Sequence, residues 1–338
     1  MELWALTGGS GFLGLHLSRR LLADGFAVRS LDLEPVAVPG VQALVGDVCS
    51  ERNARALCQD ADVVVHAAAA LPIRGSGIDT NVAGTATVLA AAAEARVRRV
   101  VFISSSVVYG IPGAEPSSET MPTAPIDAYG ASKLEGERIC REFGARGLEV
   151  TILRPQAFVG PERLGIFGIL FRWISEGRRI YTLGPGTNRY QLLSVEDLVE
   201  AVVLSGRSRV SGETLNLGAT EFGTVAEDLA GLIRHAGSRS RLTSVPAPPL
   251  RLLLRGLDAA GLSPLSSWHY RSADKDCIVS CAKAERLLGW RPRLSNLETL
   301  SAAYDWFEAS AAQTPMEIGQ THRTSWDERA LGLVRKVS

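Results

Sequence analysis

Tyr129 and Lys133 stand four residues apart, so on a helix they share one face and bring an ammonium within a turn of a phenol. A free tyrosine has a pKa of about 10, and a nearby cation stabilises the phenolate and moves it toward the range useful for general acid–base work. Upstream, Ser104, Ser105 and Ser106 close an apolar run. Three hydroxyls in a row suit a core badly, and ligands of a doubly wound sheet sit beyond such strand ends. A Tyr-x-x-x-Lys pair alone is common on helix surfaces; with hydroxyls upstream and a nucleotide site before it, the pair reads as an acid–base constellation.

The nucleotide site is read from Thr7-Gly8-Gly9-Ser10-Gly11-Phe12-Leu13-Gly14, which lies between an apolar run and a helical pattern. Gly8 permits a tight turn, Gly11 lets backbone N–H groups approach phosphates, and Gly14 lets helix pack on strand, while the helix N-terminus favours negative charge. The G-x-x-G-x-x-G spacing differs from the G-x-G-x-x-G of many dehydrogenases. Asp32 follows Gly14 by eighteen positions (32 minus 14), at the end of the next apolar run. A carboxylate there accepts hydrogen bonds from both hydroxyls of an adenosine ribose and repels a 2′-phosphate, which selects NAD. Asp47, after the third run, either caps the following helix or holds the adenine edge.

Positioning these residues takes a sheet with helices on both faces. Residues 3–6, 27–33, 41–45, 63–66, 100–103 and 150–153 read as strands, and 13–23, 81–95 and 129–143 carry apolar residues at helical spacing. This alternation of βαβ units predicts an α/β fold, a doubly wound parallel sheet of Rossmann type over residues 1–155. After Arg154, Gly160-Pro161, Gly184-Pro185-Gly186 and the proline-rich stretch 246–249 break the chain into shorter pieces. They predict a second, smaller C-terminal substrate lobe over 156–309. A helix at 194–204 returns to the sheet within a segment of about 190–218, and 282–288 and 297–307 read as further helices. Residues 310–338 are polar and aperiodic, as in a loosely attached tail.

Composition bounds the partners. With 46% hydrophobic and 21% charged residues in 338, the chain is globular rather than disordered. Lys plus Arg number 36 and Asp plus Glu number 36, so there is no excess positive field for nucleic acid or an anionic membrane. The longest apolar stretch, 63–73, is interrupted by His66 and Pro72 and falls short of the roughly 20 residues of a membrane span. The first residues run straight into a strand pattern without an export leader, and the cytoplasm is the expected compartment. Cys49, Cys58, Cys140, Cys277 and Cys281 lack any C-x-x-C pair and read as reduced thiols, with no metal expected. Cys277 and Cys281 could share a helical face, by packing rather than metal binding.

The ordered set TGGSGFLG at 7–14, GDV at 46–48, VVHAAA at 64–69, NVAGT at 81–85, ISSSVVYG at 103–110, YGASK at 129–133, LRPQAFVGP at 153–161, VEDL at 195–198 and AERLLGWRP at 284–292 resembles the extended short-chain dehydrogenase/reductase family, in particular its NAD-dependent epimerase/dehydratase branch. The resemblance spans nearly the whole chain. It implies that Tyr129 is the acid–base residue, that Lys133 orients the nicotinamide ribose and lowers the Tyr129 pKa, and that Ser105, four before Tyr109, hydrogen-bonds the reacting oxygen. It implies that Phe12, Leu13, Asp47, Val48, Ala67, Ala68, Ala69 and Asn81 line the dinucleotide. Asn81 could equally be a helix N-cap. His66 reads as a packed strand-end residue rather than a catalyst.

Arg189, and Arg271 with Asp274, resemble elements that grip a nucleotide diphosphate; solvated surface is the competing reading of either, and the match of arginine to phosphate geometry favours the phosphate role. Ala157 stands where many sugar-nucleotide members carry Asn, and Arg189-Tyr190-Gln191 where they carry Arg-Asp-Phe. Cys281 replaces a Ser before Lys283-Ala284, a cap substitution. Dehydratases and decarboxylases of the family place an acid where this chain has Ser106, Val107 and Val108, so elimination lacks its second acid–base group. The expected function is NAD-dependent epimerisation of a nucleotide sugar, by transient oxidation to a keto sugar at C4 and re-reduction on the other face. The alternative is an NAD-dependent dehydrogenase or keto reductase acting on a non-nucleotide alcohol or sterol-like substrate. A non-catalytic dinucleotide sensor would keep the glycine turn without needing Ser105, Tyr129 and Lys133. Family members pair two helices across a two-fold axis, and the apolar and small residues of 82–95 and 134–143 imply such a homodimer.

Overall fold

The six apolar runs become the parallel strands β1 (Leu3–Thr7), β2 (Ala27–Asp32), β3 (Gln42–Val45), β4 (Val63–His66), β5 (Arg99–Ile103) and β6 (Val150–Pro155). Numbered along the chain, the short pair β7 (Ala157–Val159) and β9 (Leu192–Ser194), and β8 (Arg179–Leu183), belong to the lobe, and β10 (Thr214–Leu217) returns to the sheet beside β6. In this computed structural model the described residues are 1–70, 79–111, 113, 115–162, 165–249, 271–311, 319–321 and 324–325. The central sheet has seven strands in the order β3-β2-β1-β4-β5-β6-β10. The order reverses between β1 and β4, where Thr7 lies opposite His66, and in such sheets the crevice beyond that switch point receives the ligand.

Side chains of a strand alternate between faces, and β1 shows both cores at once. Trp4 and Leu6 face a cluster built with Leu13 and Leu17 of α1 (Phe12–Ala23), while Ala5 faces the other. That second cluster holds Leu57 of α2 (Glu51–Cys58), Leu89 of α3 (Asp79–Glu94) and Ile139 of α4 (Ala128–Ala145). The first face also takes Leu198 and Val202 of α6 (Val195–Arg207), so helices cover both sides. Each fully buried leucine or isoleucine contributes roughly 1.5–3 kcal/mol, which is why wholly apolar strands survive at the centre.

The lobe gathers α5 (Gly165–Ser175), α7 (Val225–His235), β11 (Arg241–Val245) and α9 (Asn296–Ala311), with α8 (Ala282–Leu288) nearer the sheet. Phe171, Ile174, Leu232, Tyr304 and Phe307 form its core, and β8 pairs in parallel with β11. The Nε1–H of Trp290 donates to the Asp197 carbonyl at 2.9 Å, tying the segment after α8 to α6.

Residues 277–280 are not helical: Tyr190 bridges to Cys277 and Ser117 to Val279. Cys277 and Cys281 therefore share no helical face, because pairing with distant chain outweighs their i, i+4 spacing. Cys281 is the N-cap of α8 but makes no side-chain capping bond; its thiol donates to the Gly218 carbonyl at 3.4 Å. Of the expected tail, an antiparallel pair, β12 (Gly319–Thr321) and β13 (Thr324–Ser325), is described, and most of the rest lies outside the described residues, as do 71–73 of the apolar stretch. Among the described residues no helix is long and apolar enough to cross a membrane, and no three His, Cys, Asp or Glu side chains gather as for a metal.

Candidate active site

The glycine turn leaves β1 at the switch point. Gly8 adopts φ +75°, and a Cβ there would lie 2.9 Å from the Cα of Ala68, so the turn needs both a left-handed backbone and no side chain. A Cβ on Gly14 would stand 2.2 Å from the Gly8 carbonyl oxygen, so only glycine lets α1 fold back onto its own entry loop. Phe12 and Leu13 bury their side chains in the core, and what they offer a ligand is backbone N–H at the start of α1. That terminus starts at Gly11 with no side-chain cap and no acid in its first turn, as a pyrophosphate requires. Asp32 ends β2 half-buried, and its carboxylate accepts the Ser10 N–H at 3.1 Å, which fixes it beside the turn. These residues fit a dinucleotide.

Asp47 does not cap α2. Its carboxylate accepts the Cys49 N–H at 2.8 Å, and Ser50 caps the helix instead. Val48 packs its Cγ2 toward Gly84 of α3, where a Cβ would come within 2.7 Å. Asn81 is not an N-cap either, since α3 already begins at Asp79. It is buried and grips the chain after β4, accepting the Ala70 N–H at 2.7 Å and donating to the Ala70 carbonyl at 3.1 Å. Its amide also donates to Ser132 Oγ at 3.0 Å, and Ser132 donates to the Tyr129 carbonyl at 2.8 Å, so Asn81 ties the Ala67–Ala69 segment to the Tyr129 turn. Ala67 and Ala68 spend their N–H groups on Thr7 Oγ1, both at 3.1 Å.

His66 joins β1 to α3 in a buried relay. Thr85 gives its hydroxyl proton to the Asn81 carbonyl at 2.6 Å, so the His66 Nε2–H donates to Thr85 at 3.0 Å. Nδ1 is then left to accept from Thr7 at 2.7 Å. Burial, and secondarily the Lys133 charge, pushes the His66 pKa down to about 3, and the ring stays neutral.

The three serines separate into distinct roles. Ser104 donates to Glu137 at 2.6 Å and Ser106 to Gln156 at 2.8 Å, both buried. Ser105 is half-buried, caps the 3-10 turn Ser106–Tyr109, and among the described residues its hydroxyl oxygen accepts only the Val107 N–H, at 3.4 Å. Its hydroxyl is the one that can turn to a substrate. Asp127 caps α4 by accepting the Gly130 N–H at 2.8 Å, which places Tyr129 in the first turn. Lys133, one turn on, is buried, donates to the Ile103 carbonyl at 2.8 Å, and lies 5.9 Å from the centre of the Tyr129 ring. Burial lowers its pKa to about 8, against the opposing pull of Cys140 and Glu137. Gly136 makes this reach possible, for a Cβ there would come 2.7 Å from Phe102 Cζ.

Beneath the serines lies a buried ion pair. Glu137 accepts from Arg154 at 2.7 and 2.6 Å, Arg154 donates to the Tyr109 hydroxyl at 2.8 Å, and Tyr109 donates to Asn216 of β10 at 2.8 Å. Sequence reasoning missed Glu137 and Arg154 because they belong to different elements, though a charge inside an otherwise apolar strand pattern was the available signal.

Arg189 and Arg271 are both exposed. Arg189 Nε and Nη2 donate to Asp276 Oδ2 at 3.1 and 2.7 Å. Beside this pair a cleft of about 770 Å³ is lined by Leu183, Pro185, Ser244, Asp274 and Asp276, and by Gly113 from the segment after the Ser105 turn. Ala157, on β7, is exposed, and Tyr190 packs half-buried against the lobe core.

The model of the NAD dependent epimerase/dehydratase family matches residues 4–218. The chain is 35% identical to the uncharacterized protein y4nG of Sinorhizobium fredii over 97% of this chain and 84% of that one. It is 29% identical to UDP-glucose 4-epimerase of Mycolicibacterium smegmatis, over 89% and 97% of the two chains. The structure of MoeE5 in complex with UDP-glucuronic acid and NAD matches with a TM-score of 0.74 at 27% identity, over 92% of this chain and 100% of that one. This chain belongs to the NAD dependent epimerase/dehydratase family, and is an enzyme whose cofactor is NAD.

Proposed function

We propose that the chain is an NAD-dependent nucleotide-sugar epimerase that oxidises its substrate transiently at C4 and reduces it again on the opposite face. The observation that carries this reading is the division of the serines: Ser104 and Ser106 are held by Glu137 and Gln156, while Ser105 keeps a hydroxyl to offer beside the Tyr129–Lys133 turn. Tyr129 takes the proton of the sugar hydroxyl, Ser105 hydrogen-bonds the reacting oxygen, and Lys133 places a charge near the phenol and so favours its ionised form. NAD, when bound, takes up the hydride and gives it back. Gly8, Gly11 and Gly14, the N–H groups of Phe12 and Leu13, Asp32, and the surfaces of Asp47, Val48, Ala67, Ala68, Ala69 and Asn81 hold the dinucleotide. No acid stands at Ser106, Val107 or Val108 to drive elimination, which favours epimerisation over dehydration.

Residues 1–155 with the return segment 190–218 form the NAD unit of this reading, and 156–309 the substrate lobe with Arg189 and Arg271 toward the nucleotide. The chain works as a homodimer in the cytoplasm, a compartment that suits five cysteines without a disulfide among them. Tyr129→Phe tests the assignment: it removes the acid–base group while preserving shape, so turnover of a nucleotide sugar falls by at least the roughly 10²–10⁴-fold typical of such catalysis, with NAD affinity nearly unchanged. Full activity in this variant overturns the reading.

A further inference from the structure

The residue after β6, Gln156, is buried, and both polar atoms of its side-chain amide are engaged. Its Oε1 accepts the Ser106 hydroxyl at 2.8 Å, and its Nε2 donates to the Cys277 carbonyl at 3.2 Å and to Gln191 Oε1 at 3.4 Å. Gln191 is buried as well: its Nε2 donates to the Ala219 carbonyl at 2.6 Å, and its Oε1 also accepts the Val279 N–H at 2.8 Å. Main-chain groups cannot exchange donor for acceptor, so the Val279 N–H and the Ala219 carbonyl fix which end of the Gln191 amide is oxygen. The Gln191 oxygen and the Cys277 carbonyl in turn orient the Gln156 NH2, and leave its oxygen to the Ser106 hydroxyl, which must donate. Gly218 makes room for the pair, since a Cβ there would lie 2.5 Å from Gln191 Cδ.

Ser106 opens the 3-10 turn, and Ser105 before it is extended, at φ −162° and ψ 150°. An extended residue turns its side chain away from those of both neighbours, so the anchors of Ser104 on Glu137 and of Ser106 on Gln156 point the Ser105 side chain the other way. The cap that Ser105 itself makes, 3.4 Å from the Val107 N–H, is long and leaves the near end of the turn to Ser106. Val108 and Tyr109 bury the far end against Val279, the residue whose N–H also orients Gln191. We infer that Gln156 is a positioning residue for the reaction: it anchors Ser106 and thereby holds Ser105 toward the reacting oxygen, and Gln191 with the 277–279 segment holds Gln156 in turn. The inference rests on the epimerase reading above, in which Ser105 bonds that oxygen. A neutral amide gives this hold without placing a charge or a second acid–base group beside Ser105.

Steady-state kinetics of the full chain with NAD, on UDP-glucose and on UDP-glucuronic acid, test this. Gln156→Met keeps the length of the side chain and removes its amide. It is expected to lower kcat about tenfold, inside the roughly 10²-fold that an ångström of misplacement can cost, with KM and NAD affinity nearly unchanged. In a Ser105→Ala background, where no hydroxyl is left to aim, Gln156→Met is expected to change kcat no further, because the two residues act as a unit. A purely structural role predicts the same loss in both backgrounds, and that result overturns the inference. Wild-type kcat in Gln156→Met overturns it as well, as does a change confined to KM; each leaves the epimerase reading intact. A wild-type chain that turns over neither sugar overturns both. Ser106→Ala, which cuts the same link by the loss of one oxygen, is expected to reproduce the kcat loss, and gives the same readings if Gln156→Met does not fold.

Discussion

Lys133 is an ammonium inside a protein, held by the Ile103 carbonyl and the Phe102 ring 5.3 Å away. Its charge is lost as pH rises through about 8, two units or so before an exposed lysine, and the support it gives the Tyr129 phenolate goes with it. The profile of kcat/KM is therefore expected to fall on the alkaline side near pH 8; a profile level to pH 10 contradicts this role. Asp32 makes a second residue-scale prediction. NAD is expected to bind more tightly than NADP, and Asp32→Ala to narrow the difference, because a fixed carboxylate repels a 2′-phosphate. Equal dissociation constants in the wild type count against it. Tyr129, Lys133 and the glycines were legible because their meaning lies in spacing along one element. Glu137 and Arg154 were not, because the pair forms between α4 and β6. Glu137→Gln leaves the Arg154 charge buried without its partner and is expected to cost about 3–5 kcal/mol in denaturant unfolding.

At the scale of elements, close approach decides the site. Strand β5 brings Phe102 under α4 at Gly136, and Gly136→Ala forces the ring or the helix to shift, at a cost of about 1–3 kcal/mol. The expected signature is a lowered thermal midpoint together with weaker turnover. The relay through His66 binds β1, β4 and α3, and gives them an acid sensitivity. The folded ring has its pKa near 3 against 6.5 when unfolded, so between these values the unfolded chain binds more protons. Stability from this group is complete above pH 6.5 and declines on acidification, by up to about 2 kcal/mol at pH 5. Urea midpoints at pH 7 and 5 measure it, and His66→Gln is expected to flatten the difference. The sheet strands were readable because each is an unbroken apolar run. The lobe strands β7 and β9 are three residues each and pair across more than thirty residues of chain (192 minus 157), so no local pattern announces them.

For the whole molecule, the strand order brings together what the sequence keeps far apart. Thr7 and His66 meet at the switch point, β10 returns from beyond the lobe to carry Asn216 under Tyr109, and the lobe leaves a cleft that Gly113 also lines, though none of Ser105, Tyr129 and Lys133 does. The doubly wound sheet could be read from alternation alone; the position of the cleft could not, since it depends on the long-range pairing of 189 with 276. Light scattering at micromolar concentration is expected to give the mass of a dimer, and a monomer mass contradicts the proposed assembly. The central claim is transient oxidation without net redox change. It is tested by incubating the full-chain enzyme with UDP-glucose and with UDP-glucuronic acid, following C4 stereochemistry by NMR and the reduced cofactor by its absorbance. The expected result is interconversion of C4 epimers with no accumulation of reduced cofactor; a stable ketone formed together with stoichiometric reduced cofactor contradicts the account.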